Sequence, residues 1–291
     1  MSHFTVAVIH NKDEMVEDLL APFQENNMED CPKEYLEFDI EVPKDEFKTR
    51  AKWIVEEIEK DMAKSLKDGK TNEYIRQQKL YLDYNEYYKN DAYEKIFEHY
   101  YGGEKNSNSD WGYFSNLNAE WDWYQEGGRW AGMLKLKRGA TGTIGEKSFG
   151  MEKVDPYKNN RVDSAMIKDI DFAKMEEEKE SASEKKWRAR RYQIAKYKKA
   201  GNTDKEINGK IAWSYGGTVK TTKKDWMKGR IKFGTHAILA NGEWYEKGSI
   251  GWFGCFSQNS DESKEWDIGY MKKLEEISKP DQYITIIDCH T

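Results

Sequence analysis

Apolar positions change their spacing along this chain, and each change marks an element. Phe4-Thr5-Val6-Ala7-Val8-Ile9 is an uninterrupted run rich in β-branched residues and predicts a buried strand; a short acidic helix follows over about Asp13 to Leu20, stopped near Pro22. Between Tyr35 and Val42, Leu36, Phe38, Ile40 and Val42 alternate with polar residues, the period of a half-buried strand. Ile54, Ile58, Met62 and Leu66 then recur every four residues, Lys67-Asp68-Gly69-Lys70 makes a turn, and a second helical stretch runs to Tyr101. This predicts a helical hairpin or bundle over 47–101. Its second half places Tyr74, Tyr81 and Tyr88 seven apart, with Tyr84, Tyr93, Phe97 and Tyr100 on neighbouring turns, an aromatic face suited to an interface.

Gly102-Gly103 and the polar run Glu104 to Ser109 predict a linker near 102–110. Beyond it, Trp121 to Tyr124 and Arg129 to Leu136 flank Gly127-Gly128, the pattern of a hairpin, and Asn241-Gly242 between Thr235–Ala240 and Glu243–Glu246 predicts a second with a type I′ turn. Residues 176 to 199 read as a helix, acidic at its start (Glu176, Glu177, Glu178, Glu180) and basic further on. Tyr283 to Ile287 is another buried-strand run. Together these predict an α+β fold: a mainly antiparallel sheet core built from N-terminal and C-terminal strands, with helical insertions. The expected division is 1–46 and 211–291 as parts of the core, 47–105 as a helical insertion, 106–175 as a central hairpin region and 176–210 as a charged helical segment.

Composition narrows the function classes. Only 37% of the 291 residues are hydrophobic and 34% are charged, but 14% are aromatic, so a folded interior can be built from few, large side chains. The net charge of −6 gives no overall basic field for nucleic acid. The basic stretch Lys185 to Lys199, interleaved with Trp187, Tyr192 and Tyr197, is the local candidate for such binding or for an acidic protein surface, with Arg190 and Arg191 at its centre. The first apolar run is too short for a signal peptide or a membrane span. Cys31, Cys255 and Cys289 are three and far apart, which suits free thiols in a reducing compartment.

Candidate chemistry is sparse. Gly139 to Ser148 resembles a phosphate loop but has Glu146 between Gly145 and Lys147, which reads as a flexible hairpin loop instead. Paired terminal strands could bring His3 to Asp288, Cys289 and His290 as metal ligands, yet adjacent strand residues face opposite ways, so Cys289 and His290 cannot share one site. Cys255 with His236 could form a nucleophile pair, and Asp122, Glu126 and Arg129 an acid–base group; the structural readings are a core thiol and cross-strand ion pairs. No catalytic, cofactor or metal site is expected.

The opening Met1-Ser2-His3-Phe4-Thr5-Val6, Leu20-Ala21-Pro22-Phe23, Asn118-Ala119-Glu120-Trp121-Asp122-Trp123-Tyr124 with Gly127-Gly128-Arg129-Trp130-x-Gly132, Asp169-Ile170-Asp171, Gly251-Trp252-Phe253-Gly254 and Asp288-Cys289-His290 together resemble a family of phage and prophage proteins. The motifs run nearly end to end but leave out 47–105 and 176–210. Relatives often carry Pro in place of Leu117 and Lys in place of Glu120. The resemblance implies a viral counter-defence protein of the host cytoplasm, with no enzymatic activity. Such a protein oligomerises and wraps a host nuclease–helicase complex of the Gabija type, blocking DNA binding and cleavage. Tyr74, Tyr81, Tyr84, Tyr88, Trp187, Arg190 and Arg191 are the expected interface residues. The alternatives are a small-ligand-processing enzyme, with Asp122, Arg129 and His236 in one cleft, and a nucleic-acid binder acting through 185–199.

Overall fold

The computed structural model describes residues 3–148, 155–247 and 260–291, with side chains from residue 265 in the last segment. In chain order the elements are β1 (His3–His10), α1 (Val16–Leu20), β2 (Glu37–Val42), α2 (Phe47–Lys67), α3 (Thr71–Lys89), α4 (Tyr93–Tyr100), β3 (Glu104–Lys105), β4 (Trp111–Ser115), β5 (Trp123–Gly128), β6 (Leu134–Lys135), β7 (Glu146–Lys147), β8 (Arg161–Val162), β9 (Ser164–Met166), α5 (Phe172–Lys199), α6 (Asp204–Tyr215), α7 (Lys223–Met227), β10 (Ala237–Ala240), β11 (Glu243–Glu246), α8 (Ser260–Ile277) and β12 (Tyr283–His290). The fold is α+β, with mostly antiparallel pairing and one mixed sheet. Two compact units divide the chain: one joins the residues up to Gln24 with those from Glu120 onward, and the other is Glu25–Ala119. The glycine-rich segment after α4 thus lies inside the second unit, where Glu104–Lys105 pair with β4.

The first unit is organised by a sheet in the order β11-β10-β1-β12-β5-β7, with β9 on the remaining length of β12. β1 lies between β10, which it meets in parallel, and β12, which it meets antiparallel from His3↔His290 to His10↔Tyr283. Both faces of this central pair are covered, which is why the two strands read as continuous apolar runs rather than alternating ones. Ala7, Ile9, Ile284 and Ile286 pack on one face with Tyr270 and Leu274 of α8, Phe233 and Met175. Phe4, Val6, Val8, Ile287 and Cys289 pack on the other with Leu20, Trp121 and Leu239. The expected Asn241-Gly242 turn joins β10 to β11, with φ of 55° and 78°, the left-handed pair that a type I′ turn requires.

Other expectations change. The first helix begins only at Val16 and ends at Leu20 as expected, with Pro22 in a separate 3₁₀ turn over Ala21–Phe23. Residues 121–136 are not a hairpin: β5 pairs with β12 and β7, and β6 pairs with β8. The 139–148 segment is tied down, with Thr143 bonded to Ser164 and β7 laid beside β5. α5 starts earlier than its charge pattern suggested, because Asp171 caps it by accepting from Lys174 N at 2.9 Å. Thr203 and Glu206 form a reciprocal capping box at the start of α6.

In the second unit, α2 and α3 form the expected helical hairpin and α4 closes it. Phe47, Ala51, Ile54, Val55 and Ile58 of α2 meet Tyr84, Ile96, Phe97 and Trp111 in one core. The sheet β2-β4-β3 belongs to this unit and adds Val42 and Trp111 to its core. β2 buries only Val42, and Ile40 is 47% exposed, so the alternating pattern marks an edge strand with a largely open face. Among the described residues no helix is long and apolar enough to cross a membrane.

Candidate functional site at the paired first and last strands

His3 and His290 stand directly opposite each other in the β1/β12 register, so their side chains leave the same face of the sheet. Their rings meet edge to face with centroids 5.2 Å apart. Each ring has its own carboxylate: His3 Nδ1 is 2.8 Å from Asp288 Oδ1, and His290 Nδ1 is 2.6 Å from Asp122 Oδ1. An ionised carboxylate only accepts, so each Nδ1 carries the proton and the neutral ring presents its lone pair at Nε2.

The supporting carboxylate is rigid. Asp288 is fully buried, and its Oδ2 accepts from Arg129 N at 2.9 Å. Gly127 and Gly128, with φ of 76° and 53°, turn the chain between this aspartate and a second buried one, Asp163. Asp163 accepts from Gly132 N at 2.6 Å, Gly145 N at 2.9 Å and Tyr157 Oη at 2.8 Å. The Gly-Gly-Arg-Trp-x-Gly motif is thus a loop wound around two buried carboxylates. Trp123 pairs with His290 across β5/β12, its ring centroid is 5.9 Å from that of His3, and it is 46% exposed.

Cys289 points to the opposite face, as strand alternation requires, and burial raises its thiol well above the ordinary value. It is a core thiol, not a ligand beside His290. The cleft expected to unite Asp122, Arg129 and His236 does not form: His236 lies against Phe4, on the other face of the sheet, with ring centroids 5.4 Å apart. Cys255 and the 251–254 motif fall outside the described residues. Among the described residues no three His, Cys, Asp or Glu side chains are grouped to hold a metal ion.

A second histidine cluster has a different character. His10 Nδ1 donates to Asn11 O at 2.9 Å, which leaves Nε2 of the neutral ring to accept from Thr285 Oγ1 at 2.9 Å. Ser164 Oγ lies 2.6 Å from Thr285 Oγ1. These groups border a cleft of about 530 Å³ with Glu14, Glu17, Glu126 and Tyr283. Both nitrogens of His10 are spent inside the fold, so the cluster is a hydrogen-bonded brace.

The expected interface residues separate. Tyr84 is buried and hydrogen-bonds His99, Tyr81 and Tyr88 pack on the α2/α3 core, and Tyr74 is half-buried. The tyrosine face therefore mainly closes the hairpin. Trp187 and Arg190 are also interior: the Arg190 guanidinium stacks 4.9 Å from the Trp187 ring, donates to Gly216 O and Thr218 O, and is lowered by burial. Arg191 is exposed. The most exposed aromatic side chains among the described residues are instead Tyr192, 67% exposed, and Trp213, 98% exposed. Trp213 was findable: it follows Ile211 by two positions, and Ile207 and Ile211 mark the covered face of α6. No protein-family model matches this chain, and no curated protein or solved structure matches it.

Proposed function

We propose that this chain is a phage counter-defence protein that acts by occupation. In this reading it self-associates in the host cytoplasm, binds a nuclease–helicase complex of the Gabija type and blocks the path of DNA, without turnover. The motif resemblance motivates the proposal, and one observation supports it: the motifs meet in one pinned sheet, while helices outside them expose apolar side chains. The first, central and last motifs fall on β1, β5 and β12, and Asp288 links all three through His3 and the backbone of Arg129. The helices outside the motifs carry open apolar side chains: Ile75 and Leu82 on α3, Tyr192 on α5 and Trp213 on α6. A fixed scaffold bearing exposed apolar anchors fits a protein that works through contact.

The test is cleavage of DNA by the purified nuclease–helicase complex at fixed concentration, with this protein titrated in. The expected result is inhibition reaching an end point at a fixed ratio of the two proteins. Complete inhibition at a small fraction of that ratio, deepening with incubation time, would overturn the reading, as would the absence of a complex in solution mass measurements.

A further inference from the structure

We propose that His3 and His290 are a general acid–base pair that cleaves single-stranded RNA by transesterification, an activity separate from partner binding by the helices. The contrast with His10 is the starting point. His10 spends both ring nitrogens inside the fold, on Asn11 and Thr285. His3 and His290 each commit only Nδ1, to Asp288 and Asp122, and have no Nε2 partner among the described residues. Their side chains keep 19% and 14% of their surface open to solvent. Carboxylates at Nδ1 orient the rings and set the tautomer that frees Nε2. Both histidines sit on paired strands, and the partner of His3 is itself pinned by Arg129 N, the rigid support that proton transfer between fixed atoms needs.

Two imidazoles side by side suit a reaction in which one oxygen loses a proton while another gains one. RNA supplies both oxygens itself. The ribose 2′-oxygen bonds to phosphorus as its proton passes to Nε2 of the neutral ring. The bond from phosphorus to O5′ breaks, its electron pair stays on O5′, and that oxygen takes the proton from Nε2 of the second, protonated ring. The products are a 2′,3′-cyclic phosphate and a 5′-hydroxyl, no co-reactant is consumed, and exchange with water restores the starting protonation. Arg129 is exposed, has no ion pair among the described residues, and is anchored by its backbone to the carboxylate that holds His3; its guanidinium supplies positive charge for the phosphate. Trp123, half open beside His3, supplies a stacking surface for an unpaired base.

The experiment incubates the full chain with a short 5′-labelled single-stranded RNA in the presence of EDTA and identifies the new ends by mass spectrometry. The expected result is cyclic phosphate and 5′-hydroxyl ends, no cleavage of the same sequence as DNA, and a rate at least about a hundredfold lower in His3→Asn and in His290→Asn, with both melting near the unaltered protein. Trp123→Ala is expected to raise KM more than it lowers kcat. Intact RNA after prolonged incubation, 5′-phosphate ends, a requirement for added divalent metal, or histidine variants as active as the unaltered protein would each overturn the proposal. The end chemistry is read on the unaltered protein, so it decides the matter even if a histidine variant fails to fold. Nuclease inhibition by the two variants, measured alongside, separates this activity from partner binding.

Discussion

Gly128 leaves no room for a side chain beside Asp288: a Cβ there would lie 2.8 Å from the Cγ of that carboxylate, and φ at Gly128 is +53°. Gly128→Ala therefore combines a left-handed backbone penalty with overpacking, and the expected loss is about 2–4 kcal/mol in urea unfolding. Gly139 shares the left-handed backbone, with φ of +83°, but has nothing within 4 Å of the same position. Gly139→Ala is expected to lose only about 1 kcal/mol.

Asp163 and Tyr157 give a second test of the same loop. Tyr157→Phe removes hydrogen bonds to Asp163 and to Gly145 O, at about 1–2 kcal/mol, while Asp163→Asn also sets an amide N–H against backbone donors and is expected to lose about 3 kcal/mol. The Tyr157 phenol is raised, first by burial and then by Asp163. Its folded value thus exceeds the unfolded one, so its contribution is complete below about pH 10 and lost as pH rises further. Thermal melts above pH 10 should fall less steeply in Tyr157→Phe.

Glu120 makes stability depend on pH near neutrality. Its carboxyl is pushed up to about 7 from 4.5, chiefly by burial and secondarily by Glu246. Because the folded value is the higher one, the contribution is full below pH 4.5 and lost as pH rises through about 7. Partial exposure reduces the effect to about 1–2 kcal/mol. Glu120→Gln should flatten the dependence of the urea midpoint on pH between 5 and 8; an unchanged slope would remove Glu120 as its source.

Trp213 and Tyr84 should behave oppositely. Tyr84→Ala opens the α2/α3 core and is expected to destabilise by about 3–5 kcal/mol. Trp213→Ala, at a site 98% exposed, should change stability by no more than about 0.5 kcal/mol yet weaken partner binding at least about tenfold if the α6 surface is a contact. Calorimetry with the purified partner measures the second quantity.

The central strands, the Asn-Gly turn and the α2/α3 hairpin were legible because each is specified by neighbours in sequence. So was the meeting of His3 with His290, since both lie on apolar strands long enough to pair end to end. The Gly-Gly segment was misread because glycines between aromatic runs look the same whether they turn a hairpin or make room for a carboxylate. The carboxylates concerned are bonded to positions 159 residues away, from Arg129 to Asp288, and 31 away, from Gly132 to Asp163. Asp122 gave no local sign of its pairing, since only the placement of β5 beside β12 brings it to His290. Helical spacing put the tyrosines of α3 on one side without saying what covers that side.

The meeting of His3 with Asp288 spans 285 positions, and this sets an order on biosynthesis. Residues 25–119 carry a core of their own and can close on it while translation continues. β1, with a continuous apolar stretch from Val6 to Ile9, precedes both of its neighbours in the chain and has to wait for β10 and then β12 before its two edges are paired. At about 5–20 residues per second, that leaves a sticky strand unpaired for tens of seconds on the ribosome. Yield in the cell should therefore depend on chaperones that shield nascent strands, even though the finished sheet buries every residue of β1 beyond His3.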